Sequence, residues 1–337
     1  MIAQMLARVY QGQDLTADEA ESVMDQIMSG EFEPAQFGAF VASLGMKGET
    51  ADEVAGLARA MRRAALALEV AGEDHIDTCG TGGDGKNTFN VSTAAALIAA
   101  AAGAVVAKHG NRAASSRSGS ADVLEALGAR IDLTPRQVGD CISRVGIGFL
   151  FAQSFHPAMR HAGPLRAQIG IPTVFNILGP LTNPAGARRQ LLGVARPELL
   201  DLVAGALARL GTRRALVVHG LEGLDEISIA GPTRVFSVRG ERIEQFQVRP
   251  SDFDLEERPL AEVAGGDQVE NAEIIRAVFA GESGPPRDFM LLNAAAALLV
   301  AGRVNDLGDG VALARATLDS GDARRKLADF TAATHAV

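Results

Sequence analysis

The sequence of 337 residues contains no tryptophan and a single tyrosine, Tyr10, and aromatic side chains make up only 4% of it. Base-stacking platforms, which single-stranded nucleic-acid binders build from aromatic side chains, are therefore not expected. Positive charge is also in deficit, because 32 Lys and Arg stand against 41 Asp and Glu, for a formal net charge of −9. This balance argues against a duplex-DNA binder, which needs a broad basic surface to displace counterions. We expect no nucleic-acid partner.

Cysteine and long apolar runs are scarce as well. Cys79 and Cys141 are the only two cysteines and form no CxxC pair, so a reducing compartment is expected rather than a disulfide framework. The longest apolar run, residues 94–107, has 14 residues, and a membrane-spanning helix needs ~20. The first residues lack a basic start followed by an apolar block and a cleavage site, so no secretory signal is expected. These features predict a cytoplasmic protein without a membrane partner.

Two regions of different texture follow one another along the chain. Residues 1–70 carry helical apolar spacing only, with capping boxes at 16–19 and 50–53 ahead of apolar stripes. Beyond them, short apolar strands alternate with Ala-rich helices, which is typical of an α/β domain. We therefore expect a small all-helical domain at 1–70 and a larger α/β domain at 71–337 with a mixed, partly parallel central sheet. The Gly- and Pro-rich stretch 163–186 is expected to link the two domains or to act as a hinge.

A glycine-rich segment, DTCGTGGDGKNTFNVST, occupies residues 77–93 between a predicted strand and a predicted helix. It contains four glycines: Gly80, Gly82, Gly83 and Gly85. A loop free of side chains lets backbone N–H groups approach an anion, and the helix N-terminus adds partial positive charge. A tight strand-to-helix turn is the alternative, but one glycine would suffice for it. The segment is therefore interpreted as an anion-binding loop.

The loop fits two well-known phosphate patterns only in part. GxGxxG is matched, yet no acidic residue follows Asp84 near the ~20 positions at which a dinucleotide site needs one. The P-loop pattern GxxxxGK is nearly matched, but Asn87 follows where a Ser or Thr should hold magnesium. Asp84 suits a ligand that carries hydroxyls or a cation beside its phosphates, such as a sugar phosphate with Mg²⁺. Asn90, Ser92 and Thr93 stand at the helix start, where they could cap the helix or face a phosphate or magnesium.

A second candidate anion segment, KHGNRAASSRSGS, spans residues 108–120 directly after a predicted strand. Open α/β sheets bind ligands at the carboxyl ends of their strands. The segment combines the cations Lys108, Arg112 and Arg117 with small and hydroxyl-bearing residues. Residues 77–166 hold nine Lys and Arg against six Asp and Glu, so this window carries +3 and the rest of the chain −12. Placement and charge favour an anion site over a solvated basic loop.

Five segments together resemble a known family. GTGGDGKNTFNVST, KHGNR, SGSADVLEALG, FNILGPLTNP and HGLEGLDE are similar to the motifs of the anthranilate phosphoribosyltransferases, and the KHGNR block is shared with pyrimidine nucleoside phosphorylases. The resemblance covers roughly residues 1–335. It implies transfer of the phosphoribosyl group of phosphoribosyl pyrophosphate (PRPP) to the amine of anthranilate. The products are N-(5-phosphoribosyl)anthranilate and pyrophosphate, in the second step of tryptophan biosynthesis from chorismate.

The same resemblance implies partners and architecture. It implies PRPP and anthranilate as small-molecule substrates and Mg²⁺ as cofactor, with two ions in each active site. It also implies a homodimer, with part of 163–190 packing on the helical domain and the site in the cleft between the domains.

Site residues are also assigned by the resemblance. The residues implied for PRPP are Gly80, Gly83, Asp84, Thr88, Asn90, Val91, Ser92, Thr93, Lys108, His109, Gly110, Asn111, Arg112, Ala113, Ala114, Ser115, Ser116 and Ser120. The residues implied for magnesium are Ser92, Asp225 and Glu226, and those implied for anthranilate are Gly80, Asn111, His156 and Arg166. Catalytic roles fall to Lys108 on the leaving pyrophosphate, and to Arg166 and Asn111 on the acceptor.

Several alternatives remain open from the residues alone. Asp225 and Glu226 could form an exposed acidic turn, and Arg166 could lie on the outer face of a helix. His109 is a candidate general base by residue type, but a structural role beside the loop fits it equally well, so no base is assigned. A pyrimidine nucleoside phosphorylase and a nucleic-acid-binding relative are the competing functions. The acidic pair, Arg166, the chain length and the net charge argue against them.

Overall fold

The computed structural model describes residues 2–68, 70, 72, 74–113 and 117–337. Ala114, Ser115 and Ser116, which the family resemblance assigns to PRPP, lie outside the described residues. Within those ranges, every helix falls short of the length and apolarity that crossing a membrane requires.

The chain begins with four helices. They are α1 (Ile2–Tyr10), α2 (Ala17–Ser29), α3 (Pro34–Lys47) and α4 (Ala51–Ala64). Both predicted capping boxes are present. The Thr16 and Thr50 side chains each accept the backbone N–H of the glutamate three residues later, and the side chain of that glutamate accepts the backbone N–H of the threonine. The Glu53 side chain is fully buried, and it also accepts the Leu15 N–H at 2.9 Å and pairs with Lys47 at 2.9 Å. These bonds tie the ends of three helices together.

A seven-stranded sheet follows. Its strands are β1 (Ile76–Gly80), β2 (Val106–Gly110), β3 (Ile147–Phe151), β4 (Arg189–Gly193), β5 (Arg214–Gly220), β6 (Thr233–Arg239) and β7 (Arg242–Val248). They lie in the order β3-β2-β1-β4-β5-β6-β7. Strands β1 to β5 are parallel, and β6 pairs antiparallel with both β5 and β7. The expected mixed, partly parallel sheet is confirmed. Strand order reverses between β1 and β4, and ligands of open α/β sheets bind at such a switch point.

Helices cover both faces of the sheet. They are α5 (Val91–Ala101), α6 (Ser120–Ala126), α7 (Pro135–Val145), α8 (Ala152–Phe155), α9 (Met159–Ile169), α10 (Phe175–Leu181), α11 (Leu199–Arg209), α12 (Gln268–Phe279), α13 (Pro285–Ala301), α14 (Leu307–Asp319) and α15 (Asp322–Ala336). Nearly every residue of α5 is buried, as expected for a helix that is apolar on all sides. It packs with α13 to α15 on one face of the sheet, and α1 to α4 pack with α9 to α11 on the other.

The stretch 163–186, expected to link domains or to act as a hinge, is largely helical. It contains most of α9, which includes Pro164, and the whole of α10, which includes Pro180. Phe175 of α10 packs against Phe37 of α3, with ring centroids 5.7 Å apart. Both helices therefore pack in the same core as the N-terminal helices.

Candidate active site

The carboxyl ends of β1 and β4 meet under one acidic side chain. Gly80 pairs with Gly193 across the two strands, and Asp225 follows β5 one strand further along. A Cβ built on Gly80 would lie 2.3 Å from Asp225 Oδ2, and one built on Gly193 would lie 1.5 Å from the Asp225 carbonyl oxygen. The Gly82 N–H donates to Asp225 Oδ2 at 2.8 Å. Only glycine leaves room for this approach, so the loop and the acidic pair form one site.

Asp84 and Glu226 lie near enough to Asp225 for their charges to interact. Burial, with the nearby negative charge of Asp84, raises the pKa of Asp225 to about 7. Burial and the charge of Asp225 raise the pKa of Glu226 well above its usual range. No three His, Cys, Asp or Glu side chains in the described part of the chain already converge as a metal-binding group. A hard divalent cation fits these carboxylates nonetheless, because it would favour their charged forms and prefers oxygen ligands.

Lys108 lies beside this cluster and is buried. Its ammonium donates to the Thr78 carbonyl of β1, and its Nζ lies 3.4 Å from Ser92 Oγ. Burial lowers the pKa of Lys108, and the charges of Asp77 and Glu226 oppose that shift. The ammonium therefore lies between β1 and the start of α5, where its positive charge is close to the glycine loop.

The glycine loop requires left-handed backbone. Gly82 and Gly83 have φ of 67° and 79°, which side chains with a Cβ rarely adopt. Thr88 forms an isolated bridge with Ala264, so the far end of the loop is held by a segment near α12. The loop therefore has fixed ends and an exposed middle.

Two of the assigned loop residues turn their side chains away from solvent. Val91 and Thr93 are each 1% exposed, and the Thr93 hydroxyl has no hydrogen-bond partner among the described residues. Their side chains therefore belong to the packed core around α5.

A side-chain relay joins the glycine loop to the second anion segment. Asn90 does not cap α5; instead its amide donates to the Ser118 carbonyl at 3.0 Å. Its Oδ1 accepts from the Ser118 hydroxyl at 3.2 Å and from Asn271 of α12 at 2.9 Å. The two loops are thus held against one another and against α12.

The second segment wraps around an acidic side chain of α6. Asp122 accepts the N–H groups of Ala113 and Gly119 at 3.0 and 2.9 Å. Arg112 pairs with Asp122 at 2.9 Å and also with Glu125, so its guanidinium points along α6. A Cβ on Gly110 would lie 2.1 Å from Ser120 Oγ, which places that hydroxyl over the end of β2.

Two histidines of the site contact each other. The Nε2 atoms of His109 and His156 lie 3.2 Å apart, and both side chains are buried. Burial lowers the pKa of His109 to about 3, helped by His156, and burial lowers the pKa of His156 to about 4. A hydrogen bond between the His109 ring and the Gly179 backbone opposes this lowering. Both rings are therefore neutral at pH 7, with one donating to the other.

Arg166 lies on α9, half-buried, with its guanidinium 4.9 Å from the centre of the Phe175 ring. Burial lowers its pKa. None of the carboxylates in the described ranges forms an ion pair with it. A partly buried guanidinium stacked on a ring and without a carboxylate partner is suited to an aromatic acid.

Sequence reasoning missed the polar groups behind the site. Asp77 is fully buried and accepts the His109 N–H at 3.1 Å and the Asn183 amide at 2.8 Å. Gln190 of β4 donates to the Pro180 carbonyl at 2.6 Å. Polar residues inside strands that are otherwise apolar were the available signal, since buried polar groups need partners.

Two family models match the chain. The glycosyl transferase family helical bundle domain matches residues 3–65, and the glycosyl transferase family α/β domain matches residues 72–324. Among curated proteins, the chain is 54% identical to the anthranilate phosphoribosyltransferase of Anaeromyxobacter sp. (strain K), over 99% of both chains. It is 52% identical to that of Symbiobacterium thermophilum, over 98% of this chain and 97% of the relative.

Solved structures give the same result. The anthranilate phosphoribosyltransferase of Thermus thermophilus superposes with a TM-score of 0.93 at 47% identity, covering 98% of this chain and 99% of that one. The Saccharomyces cerevisiae enzyme in complex with PRPP and Mg superposes with a TM-score of 0.91 at 29% identity, covering 100% and 98%. The yeast enzyme has also been solved with 4-fluoroanthranilate, at a TM-score of 0.88 and 28% identity over 100% of this chain and 99% of that one.

Proposed function

The chain belongs to the anthranilate phosphoribosyltransferase family, and we propose how its cleft carries out that family's reaction. The phosphoribosyl group of PRPP is transferred to the amine of anthranilate, giving N-(5-phosphoribosyl)anthranilate and pyrophosphate in tryptophan biosynthesis. The observation that carries the proposal is the position of Asp225 at the switch point of the sheet, with its carboxylate over Gly80 and its backbone carbonyl over Gly193.

On the donor side, Asp225, Glu226 and Ser92 would hold Mg²⁺, with two ions in the site. The raised pKa values of the two carboxyl groups support this, since their charged forms lack a full counter-charge. Bound Mg²⁺ supplies positive charge that stabilises a departing pyrophosphate. The yeast enzyme solved with PRPP and Mg supports the choice of cation.

The chain's own groups bind the rest of PRPP. Backbone N–H groups of the glycine loop and of the second segment approach the phosphates, and the N-terminus of α5 adds partial positive charge. Lys108 lies beside Ser92, and its positive charge stabilises the departing pyrophosphate. Arg112 acts through α6, because its ion pairs fix the second segment around Asp122. The remaining assigned residues complete the donor site through main chain and hydroxyls, among them Thr88, His109, Gly110 and Ser120.

On the acceptor side, Arg166 would bind the anthranilate carboxylate through its planar fork. Asn111, exposed just after β2, and Gly80, at the end of β1, would hold the amine side facing the ribose C1. The bond to pyrophosphate breaks as the amine nitrogen bonds to C1, and this nitrogen then loses a proton. His109 is assigned no role as the base, because its lowered pKa makes it a weak proton acceptor and its Nε2 contacts His156. His156, its neighbour, lines the acceptor side.

We propose in addition a cytoplasmic homodimer with a domain boundary near residue 70. The large exposed side chains of Tyr10 and Met46, 80% and 90% exposed on α1 and α3, support an interface on the helical part. Light scattering during gel filtration tests this: we expect twice the monomer mass of 35.1 kDa, and a monomer at all concentrations would contradict it.

The reaction is tested by following anthranilate fluorescence over time, with PRPP and Mg²⁺ present and each omitted in turn. Loss of signal only in the complete mixture is the expected result. No loss at any protein concentration would contradict the proposal, and phosphorolysis of uridine and thymidine would then test the competing phosphorylase function.

A further inference from the structure

The end of α10 is held by side chains because its sequence denies it backbone donors. In a continuing helix, the Pro180 carbonyl would accept the N–H of residue 184, but Pro184 has none. The Leu181 carbonyl would accept from Ala185, whose N–H instead donates to Asn183 Oδ1 at 2.9 Å. Both carbonyls therefore need donors from elsewhere.

Two side chains supply these donors from opposite sides. Gln190 of β4, 2% exposed, donates its amide N–H to the Pro180 carbonyl at 2.6 Å. Arg62 of α4 donates its Nε–H to the Leu181 carbonyl at 2.7 Å. Burial lowers the pKa of Arg62 to about 10, and no carboxylate among the described residues forms an ion pair with it. Arg62 therefore bonds a backbone carbonyl at the end of α10 and not a carboxylate.

This helix carries the acceptor side of the site at both of its ends. Phe175, its first residue, lies under the Arg166 guanidinium, and the Gly179 carbonyl near its end bonds the His109 ring. His109 in turn contacts His156. A shift of α10 along its axis would therefore move the ring that supports Arg166 and disturb the histidine pair at the same time.

We infer that Gln190 and Arg62 are positioning residues for the acceptor site, acting through the end of α10. This inference rests on the proposed function. Gln190 reaches from the sheet and Arg62 from the N-terminal helices, so the pair fixes α10 relative to both. Each acts on the site through this helix rather than through contact with the reacting atoms.

The test compares Gln190→Met and Arg62→Met, which remove the donor and keep much of the side-chain volume. We expect the KM for anthranilate to rise about tenfold, as for loss of a buried hydrogen bond, with the KM for PRPP changed less than about twofold. Arg62→Lys keeps a donor and should stay within about twofold of the unmodified protein. Matched controls are Gln137→Met, which loses its bonds to Thr134 and Val337, and Arg276→Met, whose bond to the Ala126 carbonyl joins α12 to α6 and does not involve α10.

A loss confined to kcat, or an equal change in both KM values, would overturn the inference, because a general structural defect acts in that way. Amide hydrogen exchange of peptides covering 175–186 supplies a readout that does not need activity. It should accelerate in both Met variants and not in the controls, and unchanged exchange would also overturn the inference. An unmodified protein that leaves anthranilate unchanged would instead contradict the proposed function, and the exchange result would still test the positioning role.

Discussion

His109 and His156 form a neutral pair with their Nε2 atoms 3.2 Å apart, and the His109 ring also hydrogen-bonds the Gly179 backbone. One of the two rings must donate and the other accept, so protonation of the accepting nitrogen breaks the bond between them. The pair thus links the second anion segment to α10 through rings that are uncharged at neutral pH.

This pair makes stability depend on pH. Both folded pKa values, about 3 and about 4, lie below the usual histidine value of 6.5, so the unfolded chain binds more protons below that pH. The contribution is fully present above pH 6.5 and is lost as pH falls toward the folded values, by about 2 kcal/mol per histidine between pH 6.5 and 5. Urea unfolding of the protein and of His109→Gln/His156→Gln at both pH values measures it. An identical pH dependence in the two proteins would contradict the assignment.

Arg166→Ala should raise the KM for anthranilate and lower kcat/KM by about 10 to 100-fold, as for loss of a charge-assisted bidentate contact. Thermal stability should change little, because no described carboxylate pairs with Arg166. Steady-state kinetics with each substrate varied measures the effect. Arg160→Ala, an exposed arginine on the same helix, is the matched control and should keep normal kinetics. A larger effect on the KM for PRPP than on that for anthranilate would move Arg166 to the donor side.

Asp225→Asn should separate stability from activity. The neutral amide can still accept the Gly82 N–H but removes a buried carboxyl that is charged only at a penalty, so the melting temperature in EDTA should rise. Activity should need at least about tenfold more Mg²⁺, because a charged ligand is missing. Magnesium titrations of initial rate, with Asp201→Asn on the surface of α11 as control, provide the measurement. An unchanged magnesium requirement would show that Asp225 is not a ligand.

Gly193→Ala should abolish activity and destabilise the protein by about 2 kcal/mol or more, because its Cβ would lie 1.5 Å from the Asp225 carbonyl oxygen. Gly38→Ala, in α3, has no heavy atom within 4 Å of the added methyl and should be neutral or slightly stabilising. Chemical unfolding and initial rates test both. A fully active Gly193→Ala protein would mean that the acidic loop does not approach β4 as described.

Sequence patterns predicted the change from helices to an α/β sheet and the two anion segments at strand ends, because periodicity and glycine spacing are local properties. The direction of the Arg112 side chain was not predictable, since its partners on α6 are brought near by the turn around Asp122. The burial of the Thr93 side chain was not predictable for another reason: α5 is apolar on every side, so its periodicity does not reveal which face meets solvent. A polar residue inside an apolar strand, such as Gln190, indicates a buried hydrogen bond, but the sequence does not show that its partner, like that of Arg62, is a carbonyl of α10.

The relay from Asn90 to Ser118 and Asn271 also has a thermodynamic consequence. Since the two anion segments share these bonds, ordering one of them by a phosphate removes part of the entropy that the other would lose on binding. The two phosphate-bearing ends of one PRPP molecule would then be bound cooperatively. Free phosphate or free pyrophosphate would order only one segment and would not gain this reduction in the entropy cost. We therefore expect this relay of two amides and one serine to favour intact PRPP over its fragments.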